Sequence, residues 1–324
     1  MGIYKWMAGV IACSLLLAGT GNAQAQSYPS KSVRIVVPFA PGGPTDVIAR
    51  IFAHKLSETM GQQFYVENLP GAGGNTGIAA AARAPADGYT ILVVSTGFMI
   101  NPSLYAKVPY DPIKDFVPVT LVAVSPNVLF VNPSVPAKTV KELIDLVKSS
   151  PGKYSYAHAS TGSTPHLSGE LFKLTFGLDL VTVPFTSAGL AINSTLAGHT
   201  PIGITAIPPT VGHIKEGKLR GLAVMAFQRP AVLPDVPTMA EAGVPDQEAD
   251  TLTGFVLPAG TPNDIVDRLN REIVRIGALP EIKQRLETIG FIPVLNASAE
   301  FGTRIKTEMA KWGKVVHDAK LKIE

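Results

Sequence analysis

Cysteine is almost missing from this chain. Of its 324 residues one is a cysteine, Cys13, and it falls in an N-terminal stretch that reads as removable. The remainder can then form no disulfide, offers no thiolate nucleophile and holds no cysteine-bound metal. Charge is sparse as well, with 16% charged residues and a formal net charge of +3. There is no Lys/Arg-rich run, so nothing points to a nucleic-acid partner. The histidines are His54, His158, His166, His199, His213 and His317. They show no H-x-x-x-H spacing and no accompanying acidic cluster, so no metal site is expected. A complete G-x-x-x-x-G-K-[ST], G-x-G-x-x-G or G-x-S-x-G is also absent, which removes the usual nucleotide signatures and the nucleophile elbow. No cofactor is expected.

What is present fits a folded α/β protein, with 46% hydrophobic residues. The length allows two domains and a large core. The first 25 residues differ from the rest. Lys5 gives a positive end, Met7 to Gly19 an apolar stretch, and Ala23-Gln-Ala25 a small-x-small cleavage site. That is a secretory signal, cut after Ala25 to leave Gln26 first, and too short to span a membrane. Val10-Ile-Ala-Cys13 offers the alternative of lipidation at Cys13. With no later apolar run of membrane length, the mature chain is expected to be soluble outside the cytoplasmic membrane, and monomeric.

Strand-like runs alternate with helical patterns along the mature chain. Strands are expected at 33–38, 64–67, 90–95, 119–124, 127–132, 154–157, 180–184, 201–206, 219–225 and 252–257. Helical patterns fall between them, as at 139–149 and 164–176. Such alternation argues for mostly parallel sheets flanked by helices. Two places read as crossings between domains: Ser125-Pro-Asn127, and the proline-rich stretch from Arg229 to Pro237. The domains expected are therefore 26–125 plus 230–324, and 126–229. Two crossings make a hinge, and a hinge makes a cleft. The last section reads as helices on the first domain. Ser298 is a candidate cap for a helix with Phe301, Ile305, Met309, Trp312 and Val316 on one face.

The candidate site lies in the turns between strands and helices. The run Val33-Arg-Ile-Val-Val-Pro-Phe-Ala-Pro-Gly-Gly-Pro-Thr-Asp46 is a buried-type strand leading into a glycine turn and an amphipathic helix. Bare N–H groups at such a helix start suit an anion. Pro44 fits the first helical position. From this turn Phe39, Ala40, Pro41, Gly42, Gly43, Thr45 and Asp46 are ligand-binding candidates, Asp46 more as a brace accepting backbone N–H groups than as a catalytic base. A second turn, Ala157-His-Ala-Ser-Thr-Gly-Ser-Thr-Pro-His166, adds Ser160, Thr161, Gly162, Ser163 and His166, with Thr164 as the expected cap. A third, Pro184-Phe-Thr-Ser-Ala-Gly189, adds Thr186, Ser187 and Ala188. Ser95, Thr96 and Ala206 lie at further strand ends, where ligands of open sheets collect. A basin of N–H and O–H donors with hardly any lysine or arginine suits a carboxylate. A Ser160–His166–Asp46 hydrolase triad can be written down without further support.

Taken in order, several phrases resemble the Bug family, the extracytoplasmic solute receptors of tripartite tricarboxylate transporters. They are Tyr28-Pro-Ser-Lys-Ser-Val-Arg34, Val37-Pro-Phe-Ala-Pro-Gly-Gly-Pro-Thr-Asp46, Val66-Glu-Asn-Leu-Pro-Gly-Ala-Gly-Gly74 and Ala86-Asp-Gly-Tyr-Thr90. Then come Pro109-Tyr-Asp-Pro112, Asp115-Phe-Val-Pro118, Pro151-Gly-Lys153, Leu233-Pro-Asp-Val-Pro-Thr238, Glu241-Ala-Gly243 and Pro258-Ala-Gly-Thr-Pro262. The resemblance implies a type II-like, two-domain periplasmic binding protein of the Venus-flytrap kind, not an enzyme. It would close on a small organic acid held by backbone amides and ordered water at loops 39–46 and 160–166. Its implied partners are the membrane permease subunits of that transporter; a sensing role beside a membrane signalling protein is the alternative. Family members often carry a basic residue and glycine where Thr186-Ser-Ala188 stands, an acid at Pro201 and a tryptophan near Leu252. These departures predict an acid less polar or bulkier than citrate.

Overall fold

The computed structural model describes residues 28–323. The expected signal segment, Cys13 and the start at Gln26 lie outside them. Strand β1 (Val33–Val37) runs into helix α1 (Pro44–Met60). β1 is a run of β-branched residues around Arg34, a composition suited to a buried strand. Pro44 opens α1, Asp46 sits in its first turn, and Gly61 ends it in the left-handed conformation with φ 71°. Next come β2 (Phe64–Asn68), a 3₁₀ turn at Ala72–Gly74, α2 (Asn75–Ala82), β3 (Thr90–Ser95) and α3 (Gly97–Leu104).

The long strand β4 (Phe116–Val131) follows, then α4 (Val140–Lys148), β5 (Ser155–Ala159), α5 (Thr164–Phe176), β6 (Val181–Phe185), α6 (Ala188–Leu196), β7 (Ile202–Ala206), α7 (Val211–Lys215) and β8 (Arg220–Val224). After an irregular stretch come β9 (Asp250–Pro258), α8 (Asn263–Gly277), α9 (Pro280–Thr288), β10 (Ile292–Pro293) and α10 (Ser298–Asp318). No helix among the described residues is long and apolar enough to cross a membrane.

The strands join in the order β2-β1-β3-β9-β4-β7-β5-β6, with β8 and β10 also on β4. Parallel pairing holds for β1–β2, β1–β3, β5–β6 and β5–β7. At the centre β4 meets β9, β7, β8 and β10 antiparallel. Two separate strands were expected at 119–124 and 127–132; they are one strand, and the crossing expected at Ser125-Pro-Asn127 lies inside it. β4 pairs with β9 as far as Pro126↔Asp250 and with β7 from Asn127↔Ala206 onward. Pro126, which has no N–H to give, thus stands where the strand exchanges one neighbour for the other.

Residues 230–249 were expected to have rejoined the first half, but they pack on the second. Leu233 and Val236 share a cluster with Val128, Phe130 and Val224. Met239, Val244 and Ala249 lie in another with Leu129, Tyr156 and Ile204. The return falls at β9, since buried apolar contacts and not the proline content decide where a segment sits. Helix α10 also differs from expectation, because it covers both halves. Phe301 and Ile305 join Val94 and Leu252, whereas Trp312, Val315 and Val316 join Leu167 and Phe172. Its cap is Ala297; Ser298 Oγ instead donates to Pro118 O at 2.6 Å.

Candidate functional site

The 39–46 turn is built on a buried carboxylate. Asp46 is 2% exposed. Its Oδ2 accepts Gly42 N–H at 2.9 Å and Arg50 Nε at 2.9 Å, and its Oδ1 accepts Asn68 Nδ2 at 2.9 Å. Burial opposes ionisation, yet the bonds from Arg50, Gly42 and Asn68 hold the carboxyl below its usual range. Asn68 Nδ2 also donates to Phe39 O at 3.0 Å. Asp46 is therefore the loop's brace. The amide of Gly42 is spent inside the turn and is not offered outward, contrary to expectation. What stays bare is the helix start itself. Gly43 is the N-cap and has no side chain to cap with, Pro44 has no N–H, and the N–H groups of Gly43, Thr45 and Asp46 have no partner one turn back. Ala40, Pro41 and Gly42 are exposed around them.

The 160–166 turn is closed by its own groups. Ser160 N donates to Phe185 O at 2.8 Å and Ser163 N to Ser160 O at 3.1 Å. Gly162 N donates to His166 Nδ1 at 3.0 Å. The cap of α5 is Ser163, not Thr164; its Oγ accepts His166 N at 3.4 Å and donates to Ala159 O. His166 was expected to reach a ligand. It is 3% exposed and turned under the loop, because its ring stacks on His158 with centroids 4.3 Å apart. Among the described residues, the hydrogen bonds of this turn use neither the Ser160 hydroxyl nor the N–H and hydroxyl of Thr161. Both residues are exposed, so outward donation falls to them and not to Gly162, Ser163 or His166.

The remaining strand ends divide. Thr186 and Ser187 are exposed; Ser187 caps α6 by accepting Leu190 N at 3.3 Å, with Ala188 as first helical residue. Ser95 ends β3 half-buried beside Thr253. Ala206 ends β7 half-buried opposite Asn127. Thr96 is a correction: it is 0% exposed, and its Oγ1 accepts Leu252 N at 2.8 Å and donates to Asp250 O at 3.2 Å. That hydroxyl ties α3 to the start of β9 and has nothing to give a ligand. The Ser160–His166–Asp46 triad does not form, since His166 Nδ1 is taken by Gly162 and Asp46 by Gly42, Arg50 and Asn68.

Helix α3 links the two turns. The Phe39 ring lies 3.3 Å from the place a Cβ on Gly74 would take. Asn101 Nδ2 donates to Gly73 O at 3.1 Å and to Asn75 Oδ1 at 2.8 Å. At the far end of α3, Leu104 packs against Gly162. The 39–46 turn thus reaches α3 through the 72–74 turn, whereas the 160–166 turn touches its end directly.

Residues 48–321 match the family model described as the tripartite tricarboxylate transporter family receptor. The chain belongs to that receptor family. It is 34% identical to Protein BugT of Bordetella pertussis over 326 residues, covering 100% of this chain and 97% of the relative. Among solved structures it is similar to R. palustris Rpa4515 with adipate, at 34% identity and a TM-score of 0.82, covering 91% of this chain and all of that one. It is likewise similar to the periplasmic binding protein BugD, at 34% identity and a TM-score of 0.78, with 91% and 100% covered. The fold is that of a two-domain periplasmic binding protein.

The sequence did not single out several residues that this receptor places beside the turns. Leu104, Asn101 and Asn75 are buried, and Gly73 has the Tyr105 hydroxyl 2.5 Å from a virtual Cβ. At the crossing, Ser125 Oγ, Asn127 Oδ1 and Thr253 Oγ1 are buried and without a partner among the described residues. An asparagine inside a run of buried valines and leucines was the available signal for Asn127. Nothing comparable marked Leu104.

Proposed function

We propose that this receptor is exported by its N-terminal signal and captures a small organic carboxylate between its two domains in the periplasm. It then delivers that ligand to the membrane permease subunits of a tripartite tricarboxylate-type transporter. The domains are 28–125 with 250–323, and 126–249. The observation that carries the reading is the start of α1, where an Asp46-braced turn with a glycine N-cap leaves the N–H groups of Gly43, Thr45 and Asp46 unpaired among the described residues. Ser160 and Thr161 supply donors from the other half, with Thr186 and Ser187 beside them. No lysine or arginine lies within 39–46, 160–163 or 186–188, so a carboxylate is favoured over a more highly charged phosphate.

The magnitudes suffice. A hydrogen bond to a charged group contributes about 1.5–3 kcal/mol, and a helix start adds up to about 2 kcal/mol. Micromolar affinity needs about 8 kcal/mol, which three or four such bonds with some apolar contact supply after ordering costs. Contact with both domains stabilises closure. The adipate bound to the similar Rpa4515 supports a carboxylate ligand here. The test is thermal unfolding of the chain from Gln26 against adipate, malate, citrate, benzoate and the neutral amide of each. A ligand bound only to the native state at about 100 times its Kd stabilises by about 2.7 kcal/mol, so at least one acid must raise the midpoint while its amide does not. No response to any acid overturns the reading, and a preference for citrate overturns the expectation of a less polar or bulkier ligand.

A further inference from the structure

We infer that His166 is a positioning residue of the ligand-binding turn: a neutral imidazole whose Nδ1 accepts the Gly162 amide and so fixes how Thr161 is presented. This rests on the proposed role of that turn. A backbone N–H can only donate, so the 3.0 Å contact from Gly162 N requires a lone pair on Nδ1. The ring proton therefore sits on Nε2, which points toward Glu170 Oε1 at 4.0 Å. A doubly protonated ring would set N–H against N–H, and the turn would lose this bond.

The surroundings keep the ring in that form. On one face His158 stacks at 4.3 Å with an interplanar angle of 22°. His158 is fully buried, and neither of its nitrogens has a partner among the described residues. Burial pushes His166 below its ordinary value, Glu170 opposes this, and Lys173 adds to it. Glu170 is itself occupied by Tyr156 Oη at 2.8 Å, Thr182 Oγ1 at 2.6 Å and Lys173 Nζ at 3.0 Å. It is thus fixed near the Nε2 side of the ring, at 4.0 Å and beyond hydrogen-bond reach, and is not free to swing elsewhere.

The turn needs such a hold. Ser160 has φ 56° and Gly162 φ 80°, two left-handed residues on either side of Thr161. Within 160–163 the N–H groups of Ser160, Gly162 and Ser163 are bonded, those of Ser160 and Ser163 to backbone carbonyls. The bond holding Gly162, which directly follows Thr161, depends on a side chain. A histidine here could also serve packing alone, and the experiment separates the two roles.

Two variants of the receptor decide it. His166→Asn places an amide oxygen where Nδ1 stands, whereas His166→Phe keeps a ring against His158 without an acceptor. Nitrogen NMR of the wild-type imidazole is expected to show Nδ1 without a proton and Nε2 with one. Exchange of the Gly162 amide is expected to be slow in wild type and His166→Asn, and about tenfold faster in His166→Phe. Adipate affinity, read by calorimetry, is expected to fall about tenfold in His166→Phe and to return to within about threefold in His166→Asn, the span of one hydrogen bond. A protonated Nδ1, unchanged Gly162 exchange in His166→Phe, or undiminished affinity despite faster exchange would each overturn the proposal. If wild type binds neither adipate nor any acid of the panel, the proposed function fails, while the nitrogen spectrum and amide exchange still decide the state of His166.

Discussion

Leu104 fills the space that a side chain on Gly162 would need. A Cβ built on Gly162 would lie 2.1 Å from Leu104 Cδ2, so the turn after β5 and the end of α3 are fitted to each other across the two halves of the sheet. Gly162 also has φ 80°, a conformation that disfavours any side chain.

Gly162→Ala is therefore expected to destabilise by about 1–3 kcal/mol, from overpacking together with left-handed strain. Leu104→Ala costs stability of its own by leaving a cavity. The double variant is expected to lose less than the sum of the two, by about 1 kcal/mol. Urea titration of the four proteins measures this coupling; strict additivity would place Leu104 elsewhere in solution.

Gly43 presents the opposite case. Its φ is −76°, and the nearest atom to a virtual Cβ is Ala40 O at 3.9 Å. Gly43→Val should cost about 0.5–2 kcal/mol, because a β-branched residue is a poorer N-cap than glycine, while leaving the receptor folded. Its branched side chain would stand over the bare N–H groups of α1, so carboxylate affinity should fall by about tenfold or more. Calorimetry with the best acid of the panel, beside a denaturation curve, checks both halves of the expectation.

Asp46 links the turn to pH. Its carboxyl is held below the ordinary value by Arg50, Gly42 and Asn68 against the opposing effect of burial. The stabilisation is therefore complete above the unfolded value, about 3.9, and is lost as the pH falls through the lower folded value. Asp46→Asn should cost about 1–2 kcal/mol at pH 7 and much less near pH 3. Denaturation at both pH values, with a penalty of the same size at each, would contradict this.

Asp250 carries the reverse sign. At the crossing its Oδ1 has no partner among the described residues, and Arg304 Nη2 is 3.8 Å from Oδ2. Burial pushes the carboxyl up to about 6, with Arg304 opposing and Glu308 adding to the rise. The folded state then holds its proton where the unfolded state has lost it. Stability is greatest below the unfolded value and declines as the pH rises through about 6. Asp250→Asn removes that decline. It should be more stable than wild type at pH 8, by on the order of 1–3 kcal/mol, and nearly equal at pH 4. A variant less stable at pH 8 would show that the ionised pair with Arg304 outweighs desolvation.

Local chemistry made much of this receptor readable. The strand–turn–helix from Val33 to Met60 follows from a β-branched apolar run, a Gly-Gly-Pro turn and a one-sided helix, each a property of neighbours in sequence. Asp46 as a brace followed from its place in the first turn. Ser187, read from the sequence only as a ligand-binding candidate, also caps the helix that starts one residue later.

Sequence by itself determined which segments become strands, where turns rich in donors fall, and that these turns carry almost no cationic side chains. Tertiary structure alone decided which way the residues of those turns face. Thr96 points inward because the start of β9, distant in sequence, offers it partners, and His166 because His158 at the end of β5 offers a ring to stack on. Leu104 meets Gly162 across the sheet. One strand serves both halves through Ser125-Pro-Asn127 because β9 and β7 supply partners on either side of Pro126. Pattern and propensity describe a residue's neighbours along the chain, whereas orientation and pairing depend on which distant atoms arrive to satisfy it.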